Sequence, residues 1–343
     1  MKKSLAILAA TFVAGALTVT PAFAGTFGEL NTINASGGAT LTDGLKVDIA
    51  SGQLQVMRDE QGQLYGPENL PDPDQADSMS NYFTVAFTNG GTVYTIAADG
   101  GGEVGYTNDF GWASGTSSAT LTDSDRSGTV VNTLTSEDLG DSNYVVLEIT
   151  YKYTYPDQFV NVSTKLTLPD GWTFPTRLYW NTDSTLGGAD EGDQFEGTLS
   201  SGQAVRGVVS PDGTQIEAFR QVAGQNLFSW SGGYQCAWND WESCPGASQW
   251  VYYNDDAPNA TNTDTNVDNG FGISTPVVST AGDHTASFDL LFVGCLDGVE
   301  ALQCLNDQLG LAETGFDATG LALGGFALVA AGAVVAVRRR ARA

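Results

Sequence analysis

The sequence feature that most constrains the fold is a long alternation of apolar and polar residues. It runs through YVVLEITYKYTY at 144–155 and FVNVSTKLTL at 159–168, on either side of Pro156-Asp157-Gln158. Since side chains in a strand point alternately to its two faces, the pattern predicts a long antiparallel hairpin with one buried face. Turn residues separate further runs of this kind at 82–89, 92–98, 203–209, 214–222 and 285–293. The sequence therefore predicts an all-β fold, a large antiparallel sandwich over residues 25–296, which we expect to be one domain.

One segment has the signals of a helix, and it follows the last predicted strand. In residues 297–310, Asp297 can cap the helix and Glu300 lies three residues further on. The expected apolar face holds Leu302, Leu305 and Leu309. We expect this helix to end at Gly310, because glycine readily takes the left-handed conformation that stops a helix.

The first 24 residues have the pattern of a secretory signal peptide. Lys2 and Lys3 precede a mainly apolar stretch at 5–19, and Ala22-Phe23-Ala24 has the small-x-small pattern that a signal peptidase requires. We therefore expect cleavage after Ala24. The alternative, an uncleaved membrane anchor, needs a longer apolar core than this one.

The other end combines a hydrophobic segment with a basic tail. Residues 318–337 are 20 residues without a charged side chain. At ~1.5 Å per residue they would form a helix of about 30 Å, the thickness of a bilayer core. The arginines of the tail at 338–343 predict a cytosolic end, with the long preceding segment outside the cell.

A short motif, Leu311-Ala312-Glu313-Thr314-Gly315, lies just before this hydrophobic segment. The order of motif, apolar span and basic end resembles the sorting signal of sortase-anchored surface proteins of Gram-positive bacteria, in the LAXTG variant read by class E sortases of actinobacteria. The resemblance covers residues 311–343. It implies that a sortase cleaves between Thr314 and Gly315 and joins the threonine carboxyl group to peptidoglycan. The chain would then contact the membrane only through its sorting helix, before cleavage, and its location would be the cell wall.

Removal of both ends would leave a strongly acidic chain. Of the 14 basic residues, two lie in the signal peptide and four in the tail, and of the 40 acidic residues only Asp317 is lost, which leaves eight against 39 and a net charge of −31. Such a charge keeps a secreted protein soluble and repels nucleic acid and anionic membranes. Nucleic acid is therefore excluded as a partner.

All four cysteines lie in the exported part, where disulfides are stable. Three pairings are possible, and the sequence does not choose among them. We favour the two short loops, Cys236 with Cys244 and Cys295 with Cys304. A zinc site is not expected, because no CxxC spacing is present and the one histidine is distant in sequence.

The segment from Trp230 to Tyr253 is rich in aromatic residues around Cys236 and Cys244. Flat rings in a disulfide-closed loop suit stacking on a sugar or a peptide, so a glycan or a protein is the candidate ligand. The candidate binding residues are Tyr234, Trp238 and Trp241. The alternative is that these rings cover the core of the sandwich.

Two segments are rich in oxygen-bearing side chains, DSTLGGADEGD at 183–193 and NDDAPNATNTDTNVDNG at 254–270. Ca²⁺ collects six to eight oxygen atoms from a tightly turning chain, so it is the candidate cofactor, although the sequence establishes none. The candidate ligands are Asp183, Asp190, Asp193, Asp264, Asn266 and Asp268. The second segment departs from a calcium loop at Asn269, where glycine is usual, and at Thr275, where glutamate is usual. The alternative for both segments is a solvated acidic loop.

The strands of 144–168, followed by Trp180-Asn181-Thr182-Asp183, resemble the antiparallel supersandwich of galactose-mutarotase-like proteins. The resemblance concerns architecture, because the catalytic histidine of that family has no counterpart here. His284 lies where a turn enters a strand, and no GxSxG, HExxH or P-loop motif is present. The sequence interpretation is a wall-anchored binding or structural module that is not an enzyme. The alternative is a wall-bound carbohydrate-active enzyme that uses paired carboxylates.

Overall fold

The computed structural model describes residues 23–26, 29–40, 43–58, 61–64, 81–97, 109–222, 229–233, 259–261, 267–295 and 298–313. These residues form a β-rich structure with one short helix. The first ten strands are β1 Phe23–Thr26, β2 Asn31–Ile33, β3 Lys46–Ala50, β4 Gln53–Arg58, β5 Gln61–Gly62, β6 Asn81–Asn89, β7 Thr92–Ala97, β8 Asp109–Thr122, β9 Ser127–Ser136 and β10 Val146–Tyr153. The remaining elements are β11 Phe159–Leu168, β12 Thr176–Asp183, β13 Glu191–Thr198, β14 Ala204–Val209, β15 Gln215–Gln221, β16 Ser229–Gly232, β17 Asn259–Thr261, β18 Val267–Asp268, β19 Gly270–Ser274, β20 Gly282–Gly294 and helix α1 Ala301–Glu313.

The predicted all-β class and the predicted long hairpin are confirmed. β10 and β11 pair antiparallel, with Val146 opposite Thr167 and Tyr153 opposite Val160. Burial alternates residue by residue along β11, as expected for a strand with one buried face. The other predicted strand pairs are present as β6 with β7 and as β14 with β15, and the predicted strand at 285–293 lies within β20.

The strands form one large sheet and one small sheet. The large sheet has the order β17-β16-β19-β12-β6-β7-β8-β9-β10-β11-β20-β15-β14-β13-β18, and β1 pairs with β8. The small sheet has the order β2-β3-β4-β5. Most pairs are antiparallel, whereas β7 with β8 and β16 with β17 are parallel.

The large sheet folds over so that its two halves face each other. The ring of Trp180 on β12 lies 5.9 Å from that of Phe288 on β20. Phe219 on β15 lies 6.4 Å from Phe271 on β19. All four residues are buried in one hydrophobic core, so the residues between the halves form the interior of a sandwich.

The small sheet covers the long hairpin through a close approach at Gly52. This residue has a φ of 80°, and a Cβ atom here would lie 2.9 Å from Leu134 Cδ1 and 3.0 Å from Ile149 Cδ1. Its carbonyl oxygen accepts a 2.7 Å hydrogen bond from the Tyr151 hydroxyl. The backbone N–H of Leu45 donates a 2.9 Å bond to the Tyr153 hydroxyl. Glycine is therefore required where the two sheets meet.

Helix α1 is displaced along the chain from its predicted bounds of 297–310. Gly298 has a φ of 75°, and the first backbone bond of the helix runs from Cys304 N–H to the Glu300 carbonyl at 2.9 Å, so the helix begins after Glu300. Gly310 does not end the helix, which continues to Glu313. A glycine inside a helix costs only about 1 kcal/mol, and packing of the helix on the sheet can offset that cost.

The helix packs on the outer face of the sheet and is tied to it by a disulfide. Leu305 and Leu309 are buried against Val205 and Ile216. The predicted pairing of Cys295 with Cys304 is confirmed, and this bond joins the first turn of the helix to the end of β20. Cys236 and Cys244 lie outside the described residues.

The predicted processing signals fall mainly outside the described residues. Phe23 and Ala24 belong to β1, where Phe23 pairs with Ala119, and residues 1–22 are not described. Leu311, Ala312 and Glu313 belong to α1, whereas Thr314, Gly315, the apolar span at 318–337 and the tail at 338–343 are not described. Within the described residues, no helix combines the length and the apolar character needed to cross a membrane.

Candidate functional site

Three aspartates from the two predicted acidic segments come together in the fold. Asp183 ends β12, Asp190 directly precedes β13, and Asp268 ends β18. One carboxylate oxygen of each lies within 4.8 Å of those of the other two. Asp183 and Asp268 are half-buried and Asp190 is exposed. We call these three residues the acidic cluster.

Backbone contacts bring the three aspartates of the cluster together. Leu186 and Ala189 exchange backbone hydrogen bonds of 2.8 and 3.0 Å, which turns the chain back after Asp183. Asp268 pairs with Glu191 across β18 and β13. The N–H of Asn269 also donates a 3.0 Å bond to the Asp190 carbonyl. The convergence therefore follows from ordinary turn and strand geometry.

The pKa values of two residues of the cluster, Asp190 and Asp268, are raised by burial and by neighbouring negative charges. Burial, together with the charges of Asp190 and Glu191, raises the pKa of Asp268 to about 6. Burial and the Glu191 charge also raise the pKa of Asp190. Every one of these effects disfavours the ionised form, as expected where like charges gather away from water.

A fourth carboxylate, Glu217 on β15, lies beside the cluster in the sandwich interior. It occupies the strand face between Gln215, which accepts a 3.1 Å bond from Gly187 N–H, and Phe219, which contacts the ring of Phe271. Glu217 therefore faces the end of β12, beside Ser184. The side chain of Glu217 is fully buried, and among the described residues neither of its oxygens has a hydrogen-bond partner.

The pKa of Glu217 shows how unfavourable this position is for a negative charge. Burial raises the pKa well above its ordinary value, the charge of Asp183 adds to the increase, and the nearby Ser184 hydroxyl opposes it. Glu217, Asp183 and Ser184 all carry oxygen atoms of the kind that hard cations bind.

The structure joins only part of the predicted ligand set. Asp183, Asp190 and Asp268 meet, although the first two and the third lie in different acidic segments of the sequence. Asp193 lies on β13 and does not belong to the cluster. Asp264 and Asn266 lie outside the described residues. Glu217 was missed because it lies in a predicted strand, and no signal in the sequence links it to the acidic segments.

A second site is a cleft of about 380 Å³ with aromatic walls. Its rings come from β6, β7, β8 and the connection between β11 and β12, and they are Phe87, Tyr94, Phe110, Trp172 and Phe174. The ring of Phe87 lies 5.2 Å from Tyr94 and 5.0 Å from Trp172. The Trp172 indole N–H is held by the Thr176 hydroxyl at 2.7 Å. Phe87 and Trp172 are buried in the core and support Tyr94, Phe110 and Phe174, which are half-buried and form the apolar wall of the cleft.

Polar groups line the same cleft. They are Asn89, Asp141, Asn143 and Asp170, and both aspartates are exposed. Asp141 and the next residue, Ser142, have φ values of 56° and 62°, a left-handed conformation that non-glycine residues seldom adopt. Leu139 N–H donates a 3.0 Å bond to the Asn143 carbonyl and closes this turn. The arrangement of rings beside carboxylate and amide groups suits the binding of a polyhydroxylated ligand.

Sequence reasoning missed the aromatic cleft. Its rings are spread from Phe87 to Phe174, and only two of them, Trp172 and Phe174, lie close together in the sequence. The residues predicted to stack on a ligand, Tyr234, Trp238 and Trp241, lie outside the described residues.

A third cleft, of about 360 Å³, contains His284 and Asp283. The Nε2 atom of His284 lies 2.7 Å from the Thr280 carbonyl oxygen. Asp283 accepts a 2.7 Å hydrogen bond from the Thr167 hydroxyl. Both side chains are thus held by neighbouring residues at the start of β20, and the position of His284 agrees with the predicted turn entering a strand.

Comparisons with solved structures find neighbours of low sequence identity. No family model and no curated sequence matches it. A candidate aldose 1-epimerase from Escherichia coli K12 has 11% sequence identity, covers 78% of this chain and all of its own, and gives a TM-score of 0.40. A galactose mutarotase-like protein from Lactobacillus casei ATCC 334 has 10% identity, covers 77% of this chain and all of its own, and gives a TM-score of 0.41. A candidate aldose 1-epimerase from Klebsiella pneumoniae has 10% identity, covers 80% of this chain and 81% of its own, and gives a TM-score of 0.37.

These neighbours correct one sequence interpretation. The expectation that the chain is not an enzyme is wrong, because solved structures similar to it include candidate aldose 1-epimerases. The expectation rested on the lack of a contiguous catalytic motif. In a large β-sandwich, however, a site is assembled from residues on separate strands, so a missing motif does not distinguish a binding protein from an enzyme.

Proposed function

We propose that this chain is a secreted, wall-anchored surface protein that binds carbohydrate in the aromatic cleft. The observation that carries the proposal is the half-buried rings of Tyr94, Phe110 and Phe174 in one cleft with the polar residues Asn89, Asp141, Asn143 and Asp170. The apolar face of a sugar ring stacks on aromatic side chains, while its hydroxyl groups bond to amides and carboxylates. The volume of about 380 Å³ suits a ligand of one or two sugar rings.

The charge of the cleft narrows the class of sugar. Asp141 and Asp170 are both exposed at its border, and the whole chain carries a net charge of −26. Neutral or amino sugars are therefore favoured over acidic polymers, because like charges oppose association.

A binding measurement with matched variants tests the carbohydrate proposal. Tyr94 is half-buried in the cleft and stacks on Phe87, so Tyr94→Leu removes part of the stacking surface. We expect affinity for neutral oligosaccharides from a glycan panel to fall about five- to tenfold, which corresponds to about 1 kcal/mol. Tyr144→Leu is the control, because Tyr144 is 42% exposed and does not line the cleft. Equal losses in both variants, or no binding by the parent protein, would refute the proposal.

The wall-anchoring part of the proposal is supported by the order of sorting motif, apolar span and basic tail in residues 311–343. Thr314→Ala removes the residue whose carboxyl group would be joined to peptidoglycan. We expect this variant to leave the wall fraction and to appear in the membrane or the medium. Glu313→Ala is the control, since it changes the variable position of the motif and should retain the protein in the wall. Wall retention of Thr314→Ala would argue against sortase anchoring.

Carbohydrate turnover is a second candidate function, and Asp141 and Asp170 in the same cleft favour it. Two carboxylates beside a bound sugar can act as acid and base in glycoside hydrolysis. Oligosaccharides that bind would be incubated with the parent protein and with Asp141→Asn and Asp170→Asn, and the products analysed by mass spectrometry. Loss of products with retained binding in both variants would support turnover. Unchanged oligosaccharides in the parent protein would leave binding as the function.

A further inference from the structure

The acidic cluster differs from an ordinary solvated acidic loop in its packing. Asp183 and Asp268 are half-buried, and the carboxylate oxygens of the three aspartates lie within 4.8 Å of one another. The backbone holds this geometry through the Leu186–Ala189 turn and the bond from Asn269 N–H to Asp190. Holding three carboxylates this close is electrostatically unfavourable, because like charges repel.

Glu217 is an independent observation that points to a bound cation. It is fully buried, its two oxygens have no hydrogen-bond partner among the described residues, and it faces the stretch that carries Asp183 and Ser184. A buried carboxyl group without a hydrogen-bond partner is unfavourable, and a nearby cation would allow it to ionise. Among the described residues, moreover, no ion pair includes Glu217, Asp190 or Asp268.

The chemistry of the donors selects the kind of ion. The cluster offers carboxylate oxygens, with the Ser184 hydroxyl nearby, and includes neither an imidazole nor a thiolate. Oxygen donors suit hard cations, whereas zinc and copper prefer nitrogen and sulfur. Ca²⁺ tolerates irregular geometry and completes its shell with backbone oxygens and water, whereas Mg²⁺ requires a near-ideal octahedron. A cluster built from one strand end, one turn and one short strand fits Ca²⁺ better.

We propose that Asp183, Asp190 and Asp268 bind one Ca²⁺ ion where the two acidic segments meet, next to the buried carboxyl group of Glu217. The ion holds the end of β12, the start of β13 and the end of β18 together. Its role is to stabilise the fold, and it is separate from the aromatic cleft.

Calcium titration of the full-length protein tests this proposal. After treatment with EDTA and removal of the chelator, CaCl₂ or MgCl₂ is added while calorimetry and thermal unfolding are followed. We expect one Ca²⁺ to bind per chain and the melting midpoint to rise by about 5 °C at 100-fold excess over the dissociation constant. An unchanged midpoint with no binding heat would overturn the proposal. Equal shifts with Mg²⁺ and Ca²⁺ would overturn the assignment to Ca²⁺.

Three variants and one control locate the ion. Asp190→Asn alters an exposed ligand and should fold, and Asp268→Asn alters a half-buried one; both should lose the calcium-dependent shift. Glu217→Gln should weaken calcium binding about tenfold, since neighbouring carboxylates tune metal affinity. Asp193→Asn has the same change of charge outside the cluster and should keep the full shift. If Asp193→Asn loses as much of the shift as Asp190→Asn, the proposed site is wrong.

Discussion

Both faces of strand β15 carry a buried ionisable side chain, but among the described residues only the one on the outer face has a partner of opposite charge. On the outer face, which packs toward α1, Arg220 donates hydrogen bonds of 2.7 and 3.0 Å to one oxygen of Asp289. The other oxygen of Asp289 accepts a 2.8 Å bond from Asn161. On the inner face, three residues earlier in the chain, Glu217 is fully buried and has no such partner among the described residues.

On the outer face the protein itself supplies the compensating charge, whereas on the inner face no described residue does. Arg220 lies 7% exposed and Asp289 5% exposed, and their opposite charges compensate each other in place. Glu217 and the acidic cluster bring together acidic groups only. The outer face should therefore be insensitive to dissolved cations, and the inner face should respond to them.

Removal of Arg220 would leave a buried carboxylate without a partner of opposite charge on the outer face as well. Of the changes considered, we expect it to have the largest effect on stability. Arg220→Met leaves Asp289 buried with an uncompensated charge, so we expect a loss of about 3–5 kcal/mol in the free energy of unfolding, measured by urea denaturation in EDTA. The double variant Arg220→Met/Asp289→Leu should recover most of this loss, because it removes both charges.

An exposed ion pair provides the control for Arg220. Lys165 and Glu148 lie opposite each other on β11 and β10, 3.6 Å apart and 40% and 39% exposed. Lys165→Met should cost less than about 1 kcal/mol. If Arg220→Met costs no more than Lys165→Met, the contrast between the two faces of β15 fails.

Opening the disulfide tests whether the two faces are independent. Cys295 and Cys304 are separated by nine residues, and the loss of such a short cross-link should lower the free energy of unfolding by about 2–3 kcal/mol. We expect this loss in Cys295→Ala/Cys304→Ala by urea denaturation, together with an unchanged calcium-dependent shift in melting midpoint, because the two sites share no residue and effects of sites without shared partners usually add. A variant that also loses the calcium response would show that α1 and the acidic cluster are coupled.

Local patterns explain which parts of the fold could be predicted from sequence. The alternation in 144–168, the turn residues at Gly90-Gly91 and the short loop from Cys295 to Cys304 depend on neighbours in the chain, and all three have the predicted structure. The predicted end of α1 was wrong because Gly310 lies inside the helix, which continues to Glu313. A glycine signals a helix end, but it does not by itself stop a helix.

The candidate sites were harder to predict because they depend on contacts distant in sequence. Asp190 and Asp268 were both predicted as ligands, but only the pairing of β13 with β18 brings them together. The aromatic cleft joins Phe87 to Trp172, residues on elements that become neighbours only when β6 pairs with β12. Strand pairing at long range, and not composition, decides these positions.

The buried hydroxyl group of Tyr153 can be compared with the buried carboxyl groups, because it is neutral at ordinary pH. Its ionisation gives the smallest expected effect on stability. Tyr153 is 1% exposed and its hydroxyl oxygen accepts a bond from Leu45 N–H, so it is tolerated inside the sandwich as long as it stays neutral. Burial raises the pKa of Tyr153 from 10.0 to about 12, and the bond from Leu45 opposes that increase.

The sign of the pH effect follows from this shift. Below pH 10 the hydroxyl is neutral in both states and its contribution to stability is complete; between pH 10 and about 12 the unfolded chain loses the proton first, so stability falls as the pH rises. At pH 11 the loss is about 1.4 kcal/mol. Urea denaturation at pH 9 and pH 11 should therefore show a pH-dependent loss smaller by this amount in Tyr153→Phe than in the parent protein. Some dependence should remain, because burial raises the pKa of Tyr151 as well. An identical loss in both proteins would mean that the Tyr153 hydroxyl is solvated at high pH. The interior beside the small sheet would then be more accessible to water than the region around Glu217.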